Sequence, residues 1–443
     1  MTQKSSPWLD WCLGVACAGL LCLILSACHD ITSLEQESPS RVKAEDLEKP
    51  ENASLLVTSA VGDFECALND YIVAAGAVSD ELANSNLANI LWDFDRRTIV
   101  PTLANYSTDA CDDGNPTVYT VLSTARFDAD KAVSLLDGWT DEQVPNRTAL
   151  IGVAATYAGY SLVLLGEGMC SAALDVGPEL TPTQILTEAE ARFTRAIDAA
   201  TAALTTAQTA GDSLSINSSL NLALLGRARA RLDLGNKPGA GADAALVPAG
   251  FVVTASRSST KTQRENLIFT SLYRDLTFTV DVPFRDLTFG GVPDPRVTVT
   301  DLGTTGADQA TEIFAPAKYT SIDAPIVVGK WEEAQLILAE ANLAAGDVGG
   351  AVSIINTLHT NAGLPSYGGG TPEEVLAQIF EERSRELFLE GQRLGDIIRY
   401  GVPLYPAPGT PFAVGAGTSG EYGTQVCFPL PTVERNNNPN IPD

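Results

Sequence analysis

A short pattern of small, apolar and turn-forming residues occurs twice in the second half of the chain. It reads ARARLDLGN at 228–236 and AEANLAAGD at 339–347, and a weaker copy, GYSLVLLGE, lies at 159–167. Small residues on one helix let a second helix pack closely against it, and glycine adopts the left-handed conformation that ends a helix in a tight turn. The pattern therefore predicts pairs of helices, each with a turn at its glycine.

Such pairs are typical of tetratricopeptide-type repeats, although ordinary alanine-rich helical hairpins would show a similar pattern. Both interpretations predict a mainly α fold. Capping signatures mark two helix starts, Thr-Pro-Thr-Gln at 181–184 and Thr-Pro-Glu-Glu at 371–374. In each, the threonine side chain can accept from the helix backbone and the proline suits the first helical turn. The second signature precedes a stretch that we expect to be helical as far as Tyr400.

Hydropathy separates further helical stretches from irregular ones. Residues 55–91 are rich in Ala, Leu and Val without proline, which favours a helix, and residues 147–165 are apolar on nearly every helical face. A helix that is apolar all round is expected to be buried on all sides. Residues 251–329 instead alternate polar and apolar side chains among many glycines and prolines, which predicts short strands and long loops. Residues 403–443 are irregular in the same way, and such loops are where we expect a binding surface.

The N-terminal segment indicates export. Residues Trp11–Leu25 are apolar or small, a run shorter than the roughly 20 residues that a membrane-spanning helix needs. The run ends in Leu-Ser-Ala-Cys at 25–28, which looks like a bacterial lipobox. We therefore expect a signal peptide at 1–27 and a lipid anchor on Cys28, followed by a polar tether at 28–50. The alternative is a short uncleaved anchor with an incidental cysteine.

The acidic balance excludes several classes of protein. The chain has 28 Lys and Arg against 55 Asp and Glu, a net charge of −27, which disfavours binding to a polyanion such as DNA or RNA. Its two histidines are His29 and His359. Zinc sites built from several imidazoles are therefore excluded, and any hydrolytic triad would depend on His359. The sequence has no glycine loop of the P-loop or dinucleotide-binding type. We expect no cofactor and no nucleic-acid partner.

Four cysteines remain after the predicted signal peptide and lipid site are set aside: Cys66, Cys111, Cys170 and Cys427. An even number in an exported protein is compatible with two disulfides, for which three pairings exist. Buried free thiols are the alternative.

Candidate ligand-binding residues are few. Trp92 lies in LWDFDRR beside Asp93 and Asp95, a mixture that could stack against and hydrogen-bond a polar ligand. The alternative is a buried tryptophan that anchors a helix end. Trp331 opens a predicted helix, which favours a position in the core.

Calcium ligation is a weaker hypothesis. Asp112 and Asp113, or Asp93 and Asp95, could supply carboxylate oxygens, but neither pair lies in a loop with full ligand spacing. No metal site is therefore predicted.

A charged stretch near the C-terminus suggests catalysis at first sight. Glu382, Glu386 and Glu390 are spaced four apart and would lie on one helix face. Three arginines are interleaved with them, Arg383, Arg385 and Arg393. Glycoside hydrolysis needs two carboxyls with unequal pKa values, whereas neighbouring arginines keep carboxylates ionised. The sequence favours a structural ion-pair network, and a lipoprotein glycosidase is the less favoured interpretation.

Several motifs together resemble one known family. They are the lipobox at Cys28, Asp-Pro-Arg at 294–296, WEEAQLILAEANLAAGD from Trp331, EERSRELFLEGQRLGDIIRYG from Glu381, and CFPLPTVERNNNPNI from Cys427. In order and spacing they resemble the SusD/RagB family, most specifically over the last 150 residues or so. The resemblance implies a mainly α, SusD-like fold with four tetratricopeptide-like helix pairs. It also implies an outer-membrane lipoprotein that is not an enzyme.

The resemblance implies a function as well. Family members cover a SusC-like TonB-dependent barrel in the outer membrane of Gram-negative bacteria and capture nutrients for import. We expect the same here, with display at the cell surface and a glycan or another oligomer such as a peptide as the nutrient. The alternative is a helical-repeat adaptor of the cell envelope that binds a protein partner without nutrient import.

The expected domain organisation follows from these assignments. Residues 51–443 are expected to form one SusD-like domain. Its helical scaffold would comprise about 51–250 and 326–400, with a loop-rich insert at about 251–325 and an irregular tract at 401–443.

Overall fold

A computed structural model of the protein describes residues 43–86, 91–108, 110–111, 115–412 and 420–442. The predicted signal peptide, Cys28 and most of the predicted tether lie outside these residues, as do Asp112 and Asp113. Residues Met1–Lys49 form one unit, whose described part contains the short helix α1 (Ala44–Leu47). Residues Pro50–Asp443 form the other unit, to which all further description applies.

Helices make up most of the regular structure of this unit. Those before the loop-rich region are α2 (Ala53–Val78), α3 (Trp92–Asp95), α4 (Tyr119–Gly138), α5 (Arg147–Gly168), α6 (Pro182–Leu204), α7 (Ala210–Asp233) and α8 (Lys237–Ala244). Those that follow are α9 (Leu267–Phe269), α10 (Trp331–Ala344), α11 (Val348–Ala362), α12 (Pro372–Glu386), α13 (Arg393–Tyr400) and α14 (Thr432–Asn437). The predicted mainly α fold is confirmed.

The long helices pack largely in chain order. Helix α4 lies between α2 and α5, α6 lies between α5 and α7, and α8 packs against both α7 and α10. Helix α10 then contacts α11 and α12. Alanine and glycine on the facing surfaces allow this close approach: a Cβ atom added to Gly226 of α7 would lie 2.3 Å from the ring of Phe193 on α6.

The two clearer copies of the repeat form the predicted helix pairs. Gly235 ends the turn after α7 with a φ of +79°, and Gly346 does the same after α10 with a φ of +84°. The next residue caps the second helix in each pair. The side chain of Asn236 accepts from a backbone N–H of α8, and that of Asp347 accepts from one of α11.

The weaker third copy does not form a turn, so this part of the prediction is wrong. Gly166 lies inside α5, which continues to Gly168. A Cβ atom at Gly166 would lie 2.7 Å from Leu186, so this glycine serves the packing of α5 against α6.

Helix α5 confirms the prediction of a fully buried helix, because its residues from Ile151 onward are almost all buried. Among the described residues it is the helix long and apolar enough to cross a membrane, yet 78% of its most apolar stretch is buried inside the protein. Its apolar character is therefore explained by its position in the core.

Both predicted helix starts are confirmed, whereas two predicted helix lengths are wrong. Thr181 and Thr371 each form a capping box. Helix α2 ends at Val78 and does not continue to residue 91, because the chain turns there into a strand. The helix from Thr371 stops at Glu386. Two residues in the following turn adopt the left-handed conformation, Leu389 at a φ of +53° and Gly391 at +74°.

The strands are short and form two-stranded antiparallel sheets. The pairs are β1 (Leu82–Asn84) with β5 (Phe278–Val280), β2 (Ala172–Ala173) with β3 (Glu179–Leu180), β4 (Val252–Ala255) with β10 (Ile326–Lys330), β6 (Thr288–Phe289) with β7 (Val292–Pro293), and β8 (Val299–Thr305) with β9 (Glu312–Pro316). Most of them lie in the region predicted to contain short strands and long loops. In the first pair Leu82 faces Val280, which brings the chain after α2 beside the loop-rich region.

The four cysteines form two disulfides. Cys66 pairs with Cys111 and Cys170 pairs with Cys427, with Cα atoms 6.0 and 5.1 Å apart. The second disulfide joins the end of α5 to the irregular C-terminal tract, where Met169 also forms a bridge with Phe428.

Candidate functional site

A cavity of about 240 Å³ lies where α3 and the β1–β5 pair meet the loops near the C-terminus. Its wall contains acidic, aromatic and basic side chains, and its residues include Asn84, Trp92, Asp95, Arg96, Asp281, Val282, Arg285, Asp308, Tyr405, Phe412 and Tyr422. Two other cavities, of about 460 and 380 Å³, are larger. Among the described residues, only the first cavity combines several carboxyl groups with several aromatic rings.

Two of the three candidate residues from the sequence line this cavity. Trp92 is 8% exposed, and its indole nitrogen donates to the carbonyl oxygen of Asn86 at 2.8 Å. Asp95 is also 8% exposed. Asp93 is not part of the wall, and its carboxylate accepts from the hydroxyl of Thr98 at 2.6 Å. Trp92 therefore anchors the start of α3, and little of its surface is open to the cavity.

Arg96 holds two aromatic rings of the wall together. Its guanidinium carbon lies 4.3 Å from the ring centre of Trp92 and 4.0 Å from that of Phe412. Phe412 in turn meets Tyr422 edge to face at 5.1 Å. A guanidinium between two rings gains cation–π attraction on both sides, so this arrangement fixes the shape of the wall.

Arg97, the next residue, fastens the two C-terminal loops to α3. It is 2% exposed and has a φ of +54°. Its Nε donates to the carbonyl oxygen of Gly423 at 3.2 Å, its Nη1 donates to that of Tyr405 at 3.0 Å, and its Nη2 donates to that of Pro406. Burial lowers the pKa of this guanidinium below its usual range. One side chain thus positions both loops that complete the cavity.

The acidic part of the wall consists mainly of Asp95 and Asp281. Burial, followed by repulsion from Asp281, raises the pKa of Asp95 to about 7. Burial is also the largest cause that raises the pKa of Asp281 to about 6, with a contribution from Asp80. A backbone N–H group donates to each carboxylate: the N–H of Asn84 donates to Asp95, and the N–H of Val282 donates to Asp281. These hydrogen bonds act to lower both pKa values.

The open side of the cavity is formed by Tyr405 and Val282, which are 39% and 53% exposed. Arg285 borders it. Its guanidinium carbon lies 3.8 Å from the ring centre of Phe314, and its Nε donates to the carbonyl oxygen of Val280. A ligand that enters from solvent therefore meets an aromatic ring and a guanidinium before it reaches the buried carboxyl groups.

The row of glutamates from the sequence lies in an ion-pair network. Glu382 accepts from Arg296 at 2.6 Å and hydrogen-bonds the ring of His359 at 2.7 Å. Glu390 is paired with Lys318 and Lys330. Burial acts against ionisation, but these partners hold the pKa values of Glu382 and Glu390 below their usual range. The predicted structural network is confirmed.

The ion pairs in this network differ from those that the sequence predicts. Each of the three interleaved arginines pairs with an aspartate outside the row: Arg383 with Asp396, Arg385 with Asp294, and Arg393 with Asp80. Glu390 also lies beyond the end of α12, so the three glutamates do not share one helix face. Left-handed residues after Glu386 break the helix, and lysines from the loop-rich region reach Glu390 instead.

Trp331 is the first residue of α10 and packs, partly buried, against two clusters of the hydrophobic core. This position agrees with the core interpretation. The wall residues Arg96, Phe412 and Tyr422 were not predicted, because no local pattern connects residues so far apart in the sequence.

The fold is similar to solved structures of SusD-like proteins. A SusD superfamily protein from Bacteroides vulgatus ATCC 8482 is 15% identical, with a TM-score of 0.63 over 89% of this chain and 98% of that one. A SusD-like carbohydrate binding protein from the same organism is 16% identical, with a TM-score of 0.64 over 89% and 97%. A SusD homolog from Bacteroides thetaiotaomicron VPI-5482 is 15% identical, with a TM-score of 0.60 over 89% and 97%. Such identities show a shared fold.

Residues 333–442 match the model of the SusD family. By this region and by its fold, the chain is similar to the SusD family. The region that matches the SusD family includes Tyr405, Phe412 and Tyr422 of the cavity wall, whereas Trp92 and Asp281 lie outside it. No curated protein matches the sequence.

Proposed function

We propose that this SusD-like protein captures a glycan in the cavity between α3 and the C-terminal loops. The observation that supports the proposal is the composition of the wall, in which the exposed ring of Tyr405 lies beside Arg285 and two buried carboxyl groups. Sugar rings pack their apolar faces on aromatic side chains, and their hydroxyls bond to carboxylate and guanidinium groups. One similar structure is named as a carbohydrate binding protein, which is in line with this proposal.

The proposal includes a place and a partner. Cys28 would carry the lipid that anchors the protein to the outer membrane of a Gram-negative bacterium, with the folded unit at the cell surface. A SusC-like TonB-dependent barrel would then receive the captured glycan. The resemblance of the sequence to the SusD/RagB family supports this part of the proposal.

Glycan binding is tested by isothermal titration calorimetry after an array screen with the folded protein. Tyr405→Ala should weaken binding about tenfold, which corresponds to about 1.4 kcal/mol and is the scale of one aromatic stacking contact. The matched control is Tyr367→Ala, because Tyr367 packs in a hydrophobic cluster and is not part of the cavity wall. Equal affinities for the Tyr405 variant and the unchanged protein would place the binding site elsewhere.

The partner is tested by affinity purification of the tagged, lipidated protein from outer membranes in mild detergent. Recovery of a TonB-dependent barrel in near one-to-one ratio is expected, and Cys28→Ser should release the protein from the membrane. Recovery of a soluble protein in place of a barrel would favour the adaptor alternative. Protease treatment of intact cells tests surface display, which protection of the protein would contradict.

A further inference from the structure

Two carboxyl groups in the cavity wall lack the ion pairs that three other buried aspartates of this protein have. Asp80, Asp294 and Asp396 are buried and lie within 2.9 Å of an arginine nitrogen. Asp95 and Asp281 are buried to a similar degree, yet among the described residues neither has a cationic nitrogen within the 4.0 Å of a salt bridge. Burying an ionisable carboxyl without a cation is costly, so such a position indicates a role beyond packing.

The cationic groups nearest to these carboxyls have other partners. Arg97 donates to three backbone carbonyls, Arg96 lies between two rings, and Arg285 stacks on a ring and donates to a carbonyl. These guanidinium groups lower the pKa values of Asp95 and Asp281 only in part, because burial outweighs them. The cavity therefore has acidic groups whose charge the protein itself leaves incompletely balanced.

From this geometry we infer that the cavity selects a cargo unit that bears an ammonium group, and that this group binds between Asp95 and Asp281. The inference rests on the proposed glycan-binding function and specifies its substrate class as an oligosaccharide with free amino groups. An ammonium group supplies the missing positive charge, and its three N–H donors match the carboxylate acceptors. Tyr405 lines the same cavity and is 39% exposed, so an aromatic ring that can attract a cation lies in the wall beside the two carboxyls.

An anionic cargo fits poorly. A uronic acid or a sulfated sugar would bring negative charge toward Asp95, Asp281 and Asp308, in a protein with a net charge of −27. A neutral sugar would bring no positive charge, so the two buried carboxyls would stay without an ion pair, as in the empty cavity.

The inference predicts a dependence on pH with a definite sign. Asp95, with a pKa of about 7, faces Asp281, Arg96 and Arg97, and Asp281, with a pKa of about 6, faces Asp80, Arg285 and Arg97. At pH 5 both carboxyls are mostly protonated in the empty protein, so binding of an ammonium group must displace protons. The affinity for the amine should therefore be weaker by about tenfold or more at pH 5 than at pH 7. Each unit of pH below a pKa lowers the ionised fraction of that carboxyl about tenfold.

The experiment compares three oligosaccharides with the same β-1,4 backbone. They are de-N-acetylated chitotetraose, its N-acetylated form and cellotetraose, each titrated into the folded unit at pH 7 and pH 5. We expect the amine to bind at least about tenfold more tightly than either neutral oligomer at pH 7. Asp95→Asn and Asp281→Asn remove one charge each with little change of shape and should reduce this preference. Asp141→Asn is the matched control, because the side chain of Asp141 is 68% exposed and pairs with Arg147 on a different helix.

The other outcomes separate this inference from the proposed function. If a neutral oligomer binds as well as the amine, or if the Asn variants keep the preference, the inference is wrong while glycan capture stands. If the amine does not bind but other glycans of the array do, the same holds. If Ca²⁺ alone binds the unchanged protein and is lost in the Asn variants while the amine does not bind, the carboxyls form a calcium site and the inference is again wrong. If no glycan of the array binds, both proposals fail.

Discussion

Replacement of Arg97 by methionine tests whether one buried side chain holds the cavity together. The variant loses three donated hydrogen bonds, to Gly423, Tyr405 and Pro406, and keeps most of the side-chain volume. A hydrogen bond from a charged donor contributes about 1.5–3 kcal/mol, which would give up to about 9 kcal/mol for the three. Two effects reduce this figure. The guanidinium is partly desolvated, as its lowered pKa shows, and the loops are near the surface, where water can reach the released carbonyls. We expect a net loss of about 3 kcal/mol.

This loss should be local, because Arg97 joins loops to α3 and does not cross the helical core. The amide of Gly423 donates to the carbonyl oxygen of Arg96 at 2.8 Å, so its hydrogen exchange reports on the attachment of the loop. In Arg97→Met the free energy of opening at Gly423 should fall by about 3 kcal/mol, whereas amides in the middle of α5 should be unchanged. Glycan affinity should fall too, since Tyr405 and Tyr422 lose their position.

The matched control is Arg195→Met, the same substitution at a salt bridge between half-exposed partners. Arg195 lies 2.6 Å from Asp137, with side chains 47% and 48% exposed, and such a pair contributes at most about 1 kcal/mol. Opening at Gly423 should not change in this variant. An Arg97→Met protein whose opening free energy at Gly423 stays within about 0.5 kcal/mol of the unchanged protein would refute the reasoning.

Three further substitutions test the packing, the buried histidine and the helix cap. Gly226→Ala should destabilise the protein by about 1–3 kcal/mol in urea unfolding, because its Cβ would overlap the ring of Phe193, whereas Gly138→Ala meets no atom within 4 Å and should be neutral or stabilising. His359→Gln should cost more stability at pH 5.5 than at pH 8.5. Burial acts to lower the pKa of His359, but its hydrogen bond and charge interaction with Glu382 raise that pKa on balance. The stability that this histidine contributes is therefore complete below the unfolded pKa of about 6.5 and is lost as pH rises through the folded value, and an equal loss at both pH values would contradict this. Thr371→Ala should cost about 1 kcal/mol in the same unfolding assay, and a change below about 0.3 kcal/mol would show that the capping box is not needed.

Features that depend on neighbouring residues could be predicted from the sequence. The capping box at Thr181 requires residues within one helical turn, and the turn at Gly235 requires only a residue that tolerates a positive φ. Gly166 shows the limit of this reasoning. The same glycine that would end a helix can also admit a neighbouring side chain, and packing against Leu186 decides between the two.

The candidate site depended on distant residues and was predicted only in part. Trp92 and Asp95 could be found because a tryptophan followed closely by two aspartates forms a local pattern that suits a polar ligand. Their partners could not, since the guanidinium of Arg97 meets Gly423 across a sequence separation of 326 residues. The ion-pair partners of the glutamate row could not be predicted for the same reason. Local spacing suggested arginine partners, whereas Glu390 instead pairs with Lys318 and Lys330, which are 72 and 60 residues away in the sequence.

The disulfide between Cys170 and Cys427 sets an order of events during synthesis. Its two cysteines are separated by 257 residues, and the second lies close to the end of the chain. The bond can therefore close only after the residues of both cavity-forming loops have been made. A nascent chain that lacks these loops has no finished cavity, so the proposed cargo site can form only after this part of the chain has been made.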